Sequence, residues 1–333
     1  MSDLDLVRDL FPERAPDAAA RERVRAAVAA GTFERRAPLL RRRLVPAFGG
    51  AALAAAAALA VVFLFTGTSA TVSAAAARVL RQAAAAARQN RSLATLGPDQ
   101  FLYTRSTWAS VDSYAYTNPA KTFTAFVPYK RESWLNRDGT GWLYQTSGDA
   151  VFMSDRDRQG WIAAGRPSIG NQVMDVELKN SDGPTPPMAS LDLPSDPDAL
   201  YAHFRKGLSG SSVYTEMFTL VGDSLRESYT TPAQRAALLE VAARLPGIKL
   251  VGATTDGAGR PAIGVAMDDE VRHSTSMLLL DPVTHELLGE EERVLEGNSF
   301  GYPAGTVIDR ATYLEQKVVD SVPASVVKGA SKG

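Results

Sequence analysis

Chemistry in this chain would have to come from three histidines, two acidic runs or a band of aromatic residues. His203, His273 and His285 form no His-Glu-x-x-His or other metal-ligand spacing. His285-Glu286 runs into Leu287-Leu288-Gly289, so the second histidine of a zinc hydrolase is missing and a turn role is expected. Asp155-Arg156-Asp157-Arg158 offers two carboxylates, but its arginines neutralise them and no glycine or distal glutamate completes a calcium loop. A solvated turn is expected there. Glu290, Glu291 and Glu292 precede Arg293 in a strand-like stretch, the pattern of a charged sheet edge that resists pairing. No nucleophile elbow, Walker loop or Gly-x-Gly-x-x-Gly occurs; the glycines at 139, 141, 257 and 259 belong to apparent hairpins. The chain is therefore read as non-enzymatic, with no catalytic residue, metal ligand or cofactor assigned.

The aromatic band is more distinctive. All four tryptophans, at 108, 134, 142 and 161, fall within 54 residues, together with Tyr103, Tyr114, Tyr116, Tyr129 and Tyr144. Aromatic side chains combine large apolar area with a polar tip, so such a band either fills a β core or lines an apolar-ligand cleft. If there is a cleft, strand alternation selects Tyr103, Trp134, Trp142 and Tyr144 as its lining, with Trp142 and Tyr144 on one face.

These residues need a scaffold, and the periodicity describes one. Stretches 100–108, 122–127, 129–136 and 141–145 are rich in aromatic and β-branched residues, and Asn136-Arg137-Asp138-Gly139 makes a hairpin turn between the last two. Residues 180–197 hold five prolines and read as a linker or crossing loop that divides the region into two blocks. Three helices follow, at 197–208 with Asp196 or Ser195 as cap, at 213–228, and at 232–245 with Thr231 as cap. Strands resume at 248–254, 261–267, 275–280 and 286–295, in two hairpins. Strands, a helical insertion and more strands predict an α+β domain whose helices cover one face of a curved antiparallel sheet.

Upstream the pattern changes. From Leu44 to Ala77 there is no charge, and 46–65 is long enough as a helix to cross about 30 Å of hydrocarbon. Arg35, Arg36, Arg41, Arg42 and Arg43 precede it, and the next charge is Arg78, so the positive-inside rule places the N-terminus in the cytoplasm and the bulk outside. Val72-Ser73-Ala74 resembles a signal-peptide cleavage site, but the preceding segment is far longer than an n-region. The organisation expected is a cytoplasmic helical segment at 1–43, a transmembrane helix at 44–67, a connecting helix at 68–96, an extracytoplasmic domain at 97–324 and a frayed tail at 325–333. Within 1–43, ten arginines face seven acidic residues, while the whole chain carries a net charge of -1, which gives no pull toward nucleic acid. There are no cysteines, so disulfides, thiolate metal sites and thiol catalysis are excluded.

The opening Asp3-Leu4-Asp5-Leu6-Val7-Arg8-Asp9-Leu10, the Pro16-Asp17 helix start, the single span, Phe101-Leu102-Tyr103-Thr104-Arg105 and the Leu280-Asp281-Pro282 hairpin together resemble an uncharacterised family of single-pass actinobacterial membrane proteins. His285 stands where that family's turn would carry glycine. By element order the outer domain resembles the lipoprotein-carrier and sigma-regulator (LolA/RseB-like) periplasmic fold, a half-barrel sheet with helices in its concave side. That resemblance implies an apolar-ligand cavity or an envelope-sensing role, with a cytoplasmic protein partner for residues 1–43. Segment 1–43 lacks both Cys and His and cannot carry the zinc motif of many anti-sigma domains.

Overall fold

The computed structural model describes residues 72–90, 96–115, 117–178, 193–210, 212–227 and 229–329. The expected span at 46–65 and Arg41, Arg42 and Arg43 lie outside them. No helix of the described residues is long and apolar enough to cross a membrane.

The described residues form an α+β unit on one curved antiparallel sheet of nine strands. In chain order these are β1 (Phe101–Tyr114), β2 (Phe123–Leu135), β3 (Gly141–Ser147), β4 (Val173–Leu178), β5 (Lys249–Thr255), β6 (Pro261–Asp269), β7 (Ser274–Leu280), β8 (Leu287–Val294) and β9 (Val307–Val319). The helices are α1 (Ala74–Gln89), α2 (Asp155–Ala163), α3 (Pro197–Arg205), α4 (Val213–Glu227), α5 (Pro232–Ala242) and α6 (Ala324–Gly329). In space the strands run β4-β3-β2-β1-β9-β8-β7-β6-β5. The two expected blocks are thus one sheet, because β9 returns to pair with β1 on one side and β8 on the other.

The helix signals act where the side chains suggest. Thr231 and Gln234 form a reciprocal capping box at the start of α5, and Pro232 takes a position whose N–H would have no partner. Asp196 caps α3 by accepting from Asp198 N and Ala199 N. Helix α1, read as a connector, belongs to the core: Ala76, Ala77, Leu80, Ala83 and Ala84 make a buried stripe at helical spacing. It packs against α5 and shares one core with Phe218 of α4 and the β6–β7 residues Val265, Met267, Leu278 and Leu280.

Several expectations are corrected. Segments 122–127 and 129–136 are one strand despite Pro128. Its carbonyl accepts from Gly148 N at 2.8 Å, so its nitrogen faces that same side, beyond the end of β3, and the β1 ladder loses no donor. Residues 155–158 are not a solvated turn but the first turn of α2, which Ser154 caps. Asp157 points inward and is 1% exposed. It accepts from Thr124 N at 3.0 Å, from Tyr302 Oη at 3.1 Å and from Ser154 Oγ. Gly160 lets α2 lie directly on β2, since a Cβ there would meet Thr122 O at 2.4 Å. Glu290, Glu291 and Glu292 are not an edge, because β8 is flanked by β7 and β9. Ala324–Gly329, in the stretch expected to fray, forms α6 against β3 and β4.

Candidate functional site

Strand register defines a row across the helix-covered face. Leu278 pairs with Glu290, Glu290 with Ala311, Ala311 with Trp108 and Trp108 with Tyr129. Leu278 belongs to the core with Phe218 of α4, so the whole row faces the helices. Trp108 is its polar hub. Its indole Nε1 donates to Asp309 Oδ2 at 2.7 Å, and its ring stacks on Tyr129 at 5.2 Å between centroids. The Arg131 guanidinium lies over the Trp108 ring at 5.1 Å.

Helix α4 closes over this row through charge. Arg226 bonds Glu290 Oε2 at 3.2 Å and also Asp223, while Tyr313 Oη donates to Glu290 Oε1 at 2.8 Å. Gly222 permits the approach, because a Cβ there would sit 3.0 Å from Glu290 Oε2. Between α4 and the sheet remains a cavity of about 220 Å³ bounded by Trp108, Phe218, Asp223, Glu290 and Asp309. Beyond Arg226 a smaller space of about 30 Å³ reaches Thr104, Ser106, Arg131 and Ser133. A further cleft of about 210 Å³ lies between α1, α5 and the β8–β9 region, its lining including alanines of α1, several leucines, Arg235, Arg260 and His285.

Burial raises the Glu290 carboxyl above its ordinary range, against the pull of Arg226 and Tyr313. Asp309 is pushed up to about 6, again by burial, opposed by the Trp108 bond and Arg226 and assisted by the charges of Glu292 and Asp223. The folded state therefore favours protonated Asp309. Its contribution to stability is fully present below the unfolded value near 3.8 and is lost as pH rises through about 6. That loss amounts to at most about 3 kcal/mol. Asp309→Asn keeps an oxygen for Trp108 and is expected to flatten the urea-denaturation stability curve between pH 4 and 8. An unchanged slope would assign the pH dependence to another group.

The sequence-derived residues are brought together elsewhere. Tyr103 pairs with Trp134 and Trp134 with Trp142, a row on the face opposite Trp108, with Tyr144 one step along beside Glu132. Tyr103 and Trp134 are buried, their rings 5.2 Å apart, and Tyr103 donates to Glu132 beneath Lys317 at 5.4 Å. Trp161 leaves the sheet altogether and sits on α2, donating to Pro167 O at 2.9 Å. The aromatic window did contain Trp108, whose even position puts it on the other face of β1; that parity was the available signal. Nothing in the local sequence separates Asp309 or Glu290 from surface carboxylates. Among the described residues no group of three or more His, Cys, Asp and Glu is arranged to hold a metal ion.

No protein-family model and no curated protein matches this chain. Its likeness to solved structures is distant. One is the complex of Pseudomonas aeruginosa MucA/MucB, at 15% identity and a TM-score of 0.25, covering 75% of this chain. The present chain spans 59% of that one. Another is a domain assigned to outer membrane lipoprotein sorting from Vibrio parahaemolyticus, at 9% identity and a TM-score of 0.21, covering 78% of this chain and 100% of that one. Neither likeness bears on the role of any residue here.

Proposed function

We propose that this chain is a membrane-anchored, non-enzymatic binding protein of the single-pass actinobacterial type, whose extracytoplasmic domain takes a ligand between its helices and the covered face of its sheet. The observation that carries this reading is the join between α4 and the sheet. Two open clefts of about 210 and 220 Å³ lie between the helices and the sheet, concave sites of the kind that take small ligands. One of them is bordered by α4, which the Arg226–Glu290 pair ties to the sheet. The hydrogen bonds and ion pairs of Arg226, unlike the apolar core contacts of Val221 and Leu225 on the same helix, can be exchanged for water or ligand at little cost. The row Tyr103, Trp134, Trp142 and Tyr144 is a separate candidate contact for an apolar ligand on the opposite face. Residues 1–43 are the segment through which occupancy would reach a cytoplasmic protein, in this reading a transcription regulator. A membrane-held carrier of lipid is the second reading, favoured by the same cavities; it differs in requiring that ligand be handed on, with no partner for residues 1–43.

The absence of cysteine makes the topology directly testable. In intact cells, a membrane-impermeant maleimide is expected to label Val283→Cys, at a site 84% exposed, and to reach Thr32→Cys only after permeabilisation. The reverse pattern, or equal labelling of both, overturns the anchoring. Native mass spectrometry of the full chain then tests the binding role: a co-purified small molecule is expected, and its absence from every preparation counts against both readings.

A further inference from the structure

The cavity between α1, α5 and the β8–β9 region has an uneven charge lining. Arg235, on α5, donates to Thr230 Oγ1 at 3.3 Å and has no carboxylate within ion-pair reach among the described residues. The other guanidinium in the wall is already satisfied: Arg260 bonds Asp256 Oδ2 at 2.6 Å, Tyr313 O at 2.7 Å and Leu288 O at 3.2 Å. Glu286 is exposed and occupied by Asn90 Nδ2 at 3.1 Å, although its field does reach Arg235. Glu315, also lining the space, pairs with Arg105 and Lys317. Burial lowers the Arg235 pKa. In the same wall His285 Nδ1 is buried with no hydrogen-bond partner. His285 also holds φ +59°, a left-handed conformation that disfavours a side chain and favours glycine. Apolar lining comes from Ala83, Ala87, Leu225 and Leu239, and the first turn of α5, with its positive dipole end, borders the space at Pro232.

A guanidinium with no carboxylate partner among the described residues, an unsatisfied imidazole nitrogen and apolar lining are complementary to a ligand with an anionic head and an apolar body. We propose that this cavity binds the carboxylate or phosphate head of an amphiphilic anion, with Arg235 as its charge partner and His285 as a hydrogen-bond partner. The proposal rests on the reading that the domain binds ligands beneath its helices, and adds to it the head-group chemistry and the residues that select it. At about 210 Å³ the space suits a head group with a short chain.

The test uses the full chain in nanodiscs of zwitterionic lipid, titrated calorimetrically with hexanoate, hexyl phosphate and hexanol, with empty nanodiscs as the blank. At least one anion is expected to bind about tenfold or more tighter than hexanol, and which anion binds tighter separates a carboxylate from a phosphate source. Arg235→Gln is expected to bring the anion down to the level of hexanol, and Arg235→Lys to restore part of the difference. In the wild-type protein, added salt should weaken anion binding and leave hexanol unaffected, a measurement independent of any variant's folding. His285→Gly relieves the backbone and should raise the melting temperature while lowering anion affinity; unchanged affinity would remove His285 from the site. If hexanol binds as tightly as the anions, the anion proposal falls and the ligand-binding reading stands. If none of the three binds, ligand binding at this cavity falls with it.

Discussion

Asp157→Ala is expected to destabilise the domain by about 3–5 kcal/mol, the range for breaking a buried, fully hydrogen-bonded charge. Its carboxylate, 1% exposed, joins three parts of the chain: the start of β2 through Thr124 N, the cap of α2 through Ser154, and the loop before β9 through Tyr302. Alanine leaves the Thr124 N–H buried without an acceptor and removes the partner that orients the capping serine. Asp157→Asn retains one acceptor oxygen and should lose markedly less. Burial alone would raise the Asp157 carboxyl, but hydrogen bonds from Ser154, Thr124 and Tyr302 outweigh it and hold the group below the ordinary aspartate range. Its stabilisation is therefore fully present above the unfolded pKa near 4 and disappears as pH falls through the lower folded value. Urea denaturation across pH 2 to 7 should show the wild type losing its advantage over the alanine variant at the acid end. A constant difference would assign the effect to packing.

Arg226→Met is expected to cost about 3 kcal/mol at pH 8 and clearly less at pH 5. Methionine keeps much of the apolar stem but withdraws the charge that faces Glu290 and Asp223. Glu290, already raised by burial, would then rise further. A group whose folded pKa is raised stabilises below its unfolded pKa and loses that contribution as pH climbs through the folded value, so the penalty must grow toward alkaline pH. Amide hydrogen exchange should also accelerate along α4 more than along α5, because the lost ion pair joins α4 itself to β8. A loss independent of pH would show that the arginine stem, not its charge, holds the helix down.

Local sequence rules reached far into this fold wherever the determining interaction is short-range. The capping box at Thr231, the Asp196 cap, the Asn136 and Asp256 hairpins and the β5–β8 strands all depend on neighbours within a few residues, and these elements stand within a few residues of where their signals put them. Strand β9 had no such signal. Asp309, Arg310, Glu315 and Lys317 break its alternation, and the partners that make those charges tolerable, Trp108, Glu291 and Arg105, arrive from about 20 to 210 residues away. The same distance hid Asp157, whose acidic-basic run looks solvated until Thr124 and Tyr302 close on it.

By itself the sequence determined the α+β class, the order of most elements, the absence of thiol chemistry and an aromatic sheet, because composition and short-range periodicity suffice for each. Only the tertiary structure decided that β9 joins two strand blocks into one sheet and that Trp108, not the Tyr103–Trp134–Trp142 row, faces the helices. It also decided which carboxylates and guanidinia are enclosed. The physical reason is common to all three: side-chain parity, strand order and charge burial depend on contacts between residues far apart in the chain, and a one-residue difference on a strand exchanges one face of the sheet for the other.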